Sequence, residues 1–597
     1  MPTLNDVHQQ FASFFKNPIV EPFAYLLSKR QQEGHICIHK DDIKLYKDEL
    51  PYIGPFQSDK IANATKFVST DPNTIRPFIL HKDQFYLYRY FNYETQILQS
   101  IGRLLNTEAS TQIARRTELE KIKGTILDFK AKYPTDNLLD NEKIDWQIVA
   151  AIIGVQNNFS IITGGPGTGK TTTVAKILAL LFSINPNCRV ALAAPTGKAS
   201  MRMAESLKLT ELPIKKQIKD RFQLLSPNTI HKLLKYIPDS IYFKHNQNNP
   251  LPYDVVIVDE ASMIDVALFA KLLDAIGPNT RLILLGDKNQ LASVEAGSLF
   301  GDLCKTIKSG NFLSSVETEF INQFIPDNER KISNEHIKTI NHQLDQHIIE
   351  LQLSHRFKSS GGIGKLSHAI INNVENALKE FVSSQTDPSI VIDTTVDTIL
   401  FEQFIDGYRQ FIEEADILKA LKKLNDLRVL CAVRDGAQGL YHINKTIEAY
   451  LTKKKLINLD TDFYENRPII ITKNNHELGL NNGDIGIIRK DSNGNKRAWF
   501  EDGKNNIRPI MPGYINNAET VFAMTIHKSQ GSEYNQVFVI LPESSGNKLL
   551  TRELLYTAVT RAKQKVFVQT SETILLQTAS GTVKRASGIT TRFNEIK

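Results

Sequence analysis

The stretch that most constrains this chain is Gly164-Gly165-Pro166-Gly167-Thr168-Gly169-Lys170-Thr171-Thr172. The apolar run Phe159-Ser160-Ile161-Ile162-Thr163 before it reads as a short strand. After it, Val174, Ile177, Leu178 and Leu181 recur at helical spacing. Strand, glycine loop and helix in that order are the context a phosphate-binding loop requires. The glycines let the backbone curl so that its N–H groups meet phosphate oxygens, and the helix N-terminus adds positive dipole. Lys170 is placed to reach β- and γ-phosphates, and Thr171 to offer a hydroxyl to Mg²⁺. A tight turn would account for the glycines but not for both flanks.

A second motif lies roughly 90 residues downstream, and paired with the loop it is hard to read as a mere cap. Val255-Val256-Ile257-Val258 reads as a buried parallel strand that delivers Asp259 and Glu260 to the sheet edge. Asp259 suits Mg²⁺, and Glu260 suits activation of an attacking water. Arg281 to Leu285 is another strand, ending in a loop whose Gln290 is placed to sense a γ-phosphate. Arg189 to Ala194 is a further strand. It is followed by Thr196 and Lys198, where open α/β sheets place ligand contacts. Upstream, Gln147 carries an amide that can both donate to and accept from an adenine edge.

The C-terminal half repeats the texture. Leu427 to Val433 opens a second core, which resumes at Ala523. Within Thr525 to Glu533, Gln530 and Glu533 are candidates to touch the nucleotide. Thr525, His527 and Lys528 are candidates for a nucleic-acid backbone. Arg356 and Arg561 are candidate fingers onto the γ-phosphate. Taken singly, each has a plain alternative: a cap, a core histidine, a surface arginine. Their order along one chain carries the weight.

At 597 residues the chain is too long for one core; length alone suggests about four domains. A net charge of +7 mildly favours a polyanionic partner. The four cysteines are far apart, without metal-ligand or disulfide-framework spacing, which suggests a reducing compartment. No apolar run approaches the ~20 residues that cross a bilayer, and the N-terminus lacks a signal sequence. The expectation is a cytoplasmic bacterial protein with no membrane partner. Phe85 to Tyr93 reads as a strand with core-facing rings, residues 302–350 as a polar boundary or insertion, and Lys215, Lys216, Lys219 and Arg221 as a basic, mostly solvated patch. Between Arg467 and Pro512, Asn482-Gly483, Asn493-Gly494 and Asp502-Gly503 (the last outside the residues the structure describes) read as hairpin turns of a small inserted barrel.

This order of motifs is similar to that of superfamily 1 DNA helicases over about residues 140–580. It most resembles the RecD subunits of RecBCD-type helicase–nucleases. Glu33-Gly34-His35-Ile36-Cys37 and Leu87-Tyr88-Arg89-Tyr90 extend the likeness toward the N-terminus. The resemblance implies an α/β fold: two RecA-like cores with parallel sheets (126–350 and 351–597), an SH3-like barrel near 445–520, and a mainly helical N-terminal docking domain (1–125). It implies ATP and Mg²⁺ as ligands, 5′→3′ movement on single-stranded DNA, and action at double-strand ends in recombinational repair and in degrading foreign linear DNA. RecB-like and RecC-like partners are implied too. No metal-dependent nuclease cluster is evident, so nuclease activity is expected in the RecB-like subunit. Three alternatives stay open: a free-standing RecD-like helicase, a non-translocating ATP-binding scaffold, and, disfavoured by the Asp259-Glu260 pair, a P-loop kinase or GTPase.

Overall fold

The computed structural model describes residues 6–52, 56–129, 138–293, 295–307, 310–357, 362–384, 387–475, 477–501, 506–543, 549–583 and 585–595. The N-terminal region pairs helices Val7–Ser13 and Glu21–Gln32 with a small sheet. Its strands are β1 (Cys37–His39), β2 (Val68–Ser69), β3 (Phe78–His81) and β4 (Gln84–Leu87), in the order β1-β4-β3-β2. The aromatic run expected as one strand is split. Phe85 and Tyr86 are buried in β4, while a helix begins at Tyr88 and continues to Lys121. The rings then recur at helical rather than alternating spacing. Phe91 is buried and Arg89 lies 5.1 Å from the Tyr90 ring.

The first core holds β5 (Phe159–Gly164), β6 (Val190–Ala194), β7 (Asn228–Thr229), β8 (Val255–Val258), β9 (Arg281–Gly286) and β10 (Ile348–Leu351). All neighbours are parallel, in the order β10-β5-β9-β8-β6-β7. Parallel pairing puts every strand's C-terminal end on one edge. The sheet is buried on both faces, and its side chains alternate between two cores. Phe159, Ile161, Val256, Val258, Leu282 and Leu284 pack with Tyr88–Lys121 and Val266–Asp274. Ile162, Val255, Ile257, Ile283 and Leu285 pack with Trp146–Gln156 and Lys170–Ile184. The segment expected as a boundary, 302–350, belongs to this core. Leu313, Ile321, Phe324 and Ile332 are buried in it, at spacings too irregular to show as a periodic pattern.

In chain order, β11 (Ile390–Asp393) and β12 (Leu427–Cys431) start the second sheet. An insertion follows: β13 (Pro468–Ile471), β14 (Ile485–Lys490), β15 (Lys496–Glu501), β16 (Ile507–Ile510) and β17 (Ala518–Thr520). These strands are antiparallel, ordered β16-β15-β14-β13-β17 around Ile469, Ile471, Ile488 and Phe500. The chain then completes the second core with β18 (Ala523–Thr525), β19 (Tyr534–Ile540) and β20 (Ala562–Gln569). That sheet is parallel, ordered β11-β20-β19-β12-β18. Among the described residues no helix is long and apolar enough to cross a membrane.

Candidate nucleotide-binding and motor site

The glycine loop leaves the C-terminal end of β5 and enters the helix Lys170–Ile184. Gly167 and Gly169 have φ of +78° and +86°, which L side chains rarely adopt. Space is equally tight: a Cβ on Gly169 would lie 2.2 Å from Gln147 Nε2, and one on Gly167 2.4 Å from Arg356 Cβ. Lys170 Nζ donates to the carbonyls of Gly164 (2.7 Å) and Gly165 (3.2 Å), so the ammonium is held over the loop. Thr168 Oγ1 donates to Gly165 O.

A cleft of about 430 Å³ opens above this loop. Pro166, Gly167, Gly169, Lys170, Thr171, Thr172, Asp259, Glu260 and Gln290 line it from the first core; Glu533 and Arg561 line it from the second. Arg356 lies just beyond β10 and joins them. Its stretch is bound to the phosphate loop: His355 N donates to Gly167 O (2.8 Å) and Ser354 Oγ to Pro166 O (3.1 Å). The Arg356 guanidinium nonetheless pairs with Glu533 of the second core at 2.5 Å. It is thus tethered to the first core rather than reaching in from the second.

The carboxylates differ in environment. Burial, with Glu260 beside it, pushes the Asp259 carboxyl above the usual range, while Lys170 pulls the other way. Glu260 has φ +55°, a strained left-handed backbone for a non-glycine residue, and its N–H donates to Asp259 Oδ1 (2.8 Å). Asp287 is buried, which raises its pKa. It accepts from Gln290 Nε2 (2.9 Å) and from the Tyr556 hydroxyl of the second core (3.1 Å). Burial alone would raise Glu533, but Arg202, Arg356 and Lys563 hold it down at about 2.

A second cavity of about 390 Å³ adjoins the cleft and shares Thr172, Ser206, Thr210 and His355 with it. Gln147 and Thr168 face it, with apolar walls from Phe129, Trp146, Leu209 and Leu353. Gln147 Nε2 donates to Thr168 O (3.1 Å) and lies 3.1 Å from His355 Nε2. Glu142, Asp145, Lys176 and Arg330 add charge to the same lining.

Not every expected residue joins the cleft. Gln530 turns its amide to Leu291 O (2.8 Å) and bridges the cores instead of lining the pocket. Thr196 caps the helix Gly197–Lys208 by accepting from Ala199 N. Lys198 is half-buried, its charge sensing Tyr534, Arg428 and Asp484, and burial lowers its pKa. Thr525 Oγ1 accepts from Lys528 N (3.3 Å), and Lys528 Nζ pairs with Glu519 (3.0 Å). His527 is depressed by burial, with Arg585 adding to it. Of the basic patch, Arg221 folds back over Phe182. Sequence reading missed Arg202, Asp287, His355 and Tyr556 as contributors. Asp287 stands in the loop that carries Gln290, His355 directly before Arg356 and Tyr556 five residues before Arg561; Arg202 carried no signal.

Two parallel cores that share a phosphate loop, a carboxylate pair and arginines at one cleft define a P-loop NTPase of the two-core helicase class. Residues 147–296 match a family profile described as an AAA domain, and residues 520–569 one described as a UvrD-like helicase C-terminal domain. The RecBCD enzyme subunit RecD of Haemophilus influenzae is 33% identical over 559 residues, 88% of this chain and 82% of that one. The Mycobacterium tuberculosis subunit of the same name is 33% identical over 574 residues, 94% and 88%. The ATP-dependent RecD2 DNA helicase of Deinococcus radiodurans is 27% identical over 412 residues, 68% of this chain but 46% of that one. The chain belongs to the RecD family of RecBCD enzyme subunits, superfamily 1 ATP-dependent DNA helicases.

Proposed function

We propose that ATP is hydrolysed in the cleft between the cores and that closure and reopening step the chain 5′→3′ along single-stranded DNA. The observation that carries this is the meeting of Lys170, Asp259, Glu260 and Gln290 with Glu533 and Arg561 from the opposite core. Lys170 and the loop amides hold phosphate, Gln147 faces the base, and Glu260 takes the proton of the attacking water. Arg356 and Arg561 meet the charge that develops on the γ-phosphate. Gln290 reports that charge to Tyr556 and Thr557 through Asp287 and Leu291. Glu533 releases Arg356 as nucleotide arrives.

Mg²⁺ in such sites takes one or two protein ligands and otherwise phosphate and water, and Thr171 and Asp259 suit that role. Bound there, the ion would neutralise charge on the phosphates. Among the described residues no group of three or more His, Cys, Asp or Glu side chains is placed to hold a metal by itself. Thr196, Lys198, Thr525, His527 and Lys528 are assigned to the DNA path; Thr525 and Lys528 must exchange internal partners to serve it. The chain works as motor subunit with RecB-like and RecC-like partners at double-strand ends. The N-terminal region serves as the dock, and the nuclease belongs to the RecB-like subunit. Family membership supports these last points.

Streptavidin displacement from single-stranded DNA tests the direction. With ATP, displacement is expected to be faster from a 3′-biotin than from a 5′-biotin end. The reverse preference would overturn the polarity, and displacement no faster than without ATP would overturn translocation.

A further inference from the structure

The Glu33–Cys37 stretch has no part in the cleft, yet it meets two distant segments. Beyond the helix Glu572–Ser580 the chain leaves the second core and crosses back over the first. Ile36 N donates to Ala586 O (2.9 Å), and Ala586 N donates to His35 Nδ1 (3.1 Å). Farther on, Ser587 Oγ donates to Asp302 (2.7 Å), Gly588 N to Glu94 (2.8 Å), and Arg592 pairs with the buried Glu94 carboxylate at 3.0 Å. This tail is a strap from the second core onto the first core and the N-terminal region.

Where the strap crosses, Arg585 Nη1 donates to three carbonyls: Ser293 (2.6 Å), Glu295 (3.2 Å) and Gly297 (2.9 Å). All three belong to the loop that follows Gln290. Gly297 N in turn donates to Gly34 O (2.9 Å). Gly34 has φ +92°, and a Cβ there would lie 2.5 Å from Arg585 Nε. A glycine is therefore required twice over, once by its backbone and once by the guanidinium against it.

The near end of the same loop is clamped separately. Leu291 N donates to Thr557 Oγ1 (3.0 Å) and Leu291 O accepts from Gln530 Nε2 (2.8 Å), both from the second core. Gln290 sits between the phosphate cleft and these clamps. Ser293 Oγ also donates to Glu295 O and Gly297 O (3.0 Å each), so without the guanidinium the loop loses its cation and the Ser293 carbonyl loses this donor.

We infer that Arg585 is a positioning residue for hydrolysis: it fixes the loop behind Gln290, so that the Gln290 amide keeps its place in the cleft, and yokes that loop to residues 34–36. The inference rests on the proposed hydrolysis in the cleft. Arg585 is not among the residues lining the nucleotide cleft; it meets Gln290 only across a separate cavity, so nucleotide binding is expected to be spared. A misplaced Gln290 costs turnover instead.

The test uses the full chain with Arg585→Gln, Arg585→Lys and Gly34→Ala. It measures DNA-stimulated ATP hydrolysis, together with hydrogen exchange in peptides covering 287–297 and 164–172. Arg585→Gln and Gly34→Ala, which displaces the guanidinium from its other side, are both expected to lower kcat by about tenfold to a hundredfold. KM should stay near wild type, exchange should rise at 287–297 but not at 164–172, and Arg585→Lys should recover much of the rate. Faster exchange with kcat within about twofold of wild type in both variants would overturn the positioning role. So would a rise in KM that matches the fall in kcat/KM. Wild-type protein that hydrolyses no ATP, alone or with RecB-like and RecC-like subunits added, would instead overturn the proposed function itself, and the positioning role with it.

Discussion

Glu260→Gln is expected to lower DNA-stimulated ATP hydrolysis by about 10²–10⁴-fold while ATP binding persists. The substitution keeps size and hydrogen-bonding reach but removes the base. Glu260 lines the cleft beside Asp259, at φ +55°, with its N–H on Asp259 Oδ1. That strained backbone is set by the turn out of β8, and Gln tolerates it no worse than Glu. Lys170, Thr171 and the glycine loop, proposed to hold phosphate, are untouched by the substitution. Steady-state hydrolysis and fluorescent-nucleotide binding check the split. Hydrolysis near the wild-type rate would remove Glu260 from the chemistry.

Arg561→Ala is expected to cost about 10³–10⁵ in turnover, the range for an arginine finger. The side chain is buried, and two of its nitrogens are spent on the second core: Nε on Thr557 O (3.0 Å) and Nη1 on Ser532 O (3.2 Å). Those bonds fix the fork on the second core, where it lines the cleft, and in the proposed mechanism closure of the cores brings it onto the γ-phosphate. Lysine has a point charge and no fork, and should restore little of the rate. Because Arg561 also braces the turn at Ser532, a melting curve must accompany the kinetics. A folded variant that binds ATP and hydrolyses it at wild-type rate would contradict the assignment.

The phosphate loop was legible because its demands are local: a strand, positive φ at two glycines, and a helix N-terminus. Asp259-Glu260 and Gln290 were legible for the same reason, each following a short apolar run. What depended on which elements meet was not. Arg202 is one basic residue on a helix until the second core brings Glu533 within 3.0 Å. Gln530 stands in a motif that suggests the nucleotide, yet its amide is taken by Leu291. The N-terminal strands have two to four residues, too few to show alternation, and β4 runs straight into a helix. Gly34 stood out only as part of the Glu33–Cys37 stretch; the physical reason for a glycine there lies in Arg585, about 550 residues on.

The measurement that bears most directly on the account is ATP hydrolysis by the purified chain, with and without single-stranded DNA, beside Lys170→Gln. Strong stimulation by DNA, lost in Lys170→Gln, is the result the account predicts, in the isolated chain or once RecB-like and RecC-like subunits are added. An absence of hydrolysis in both settings would contradict a motor and leave an ATP-binding scaffold as the better description.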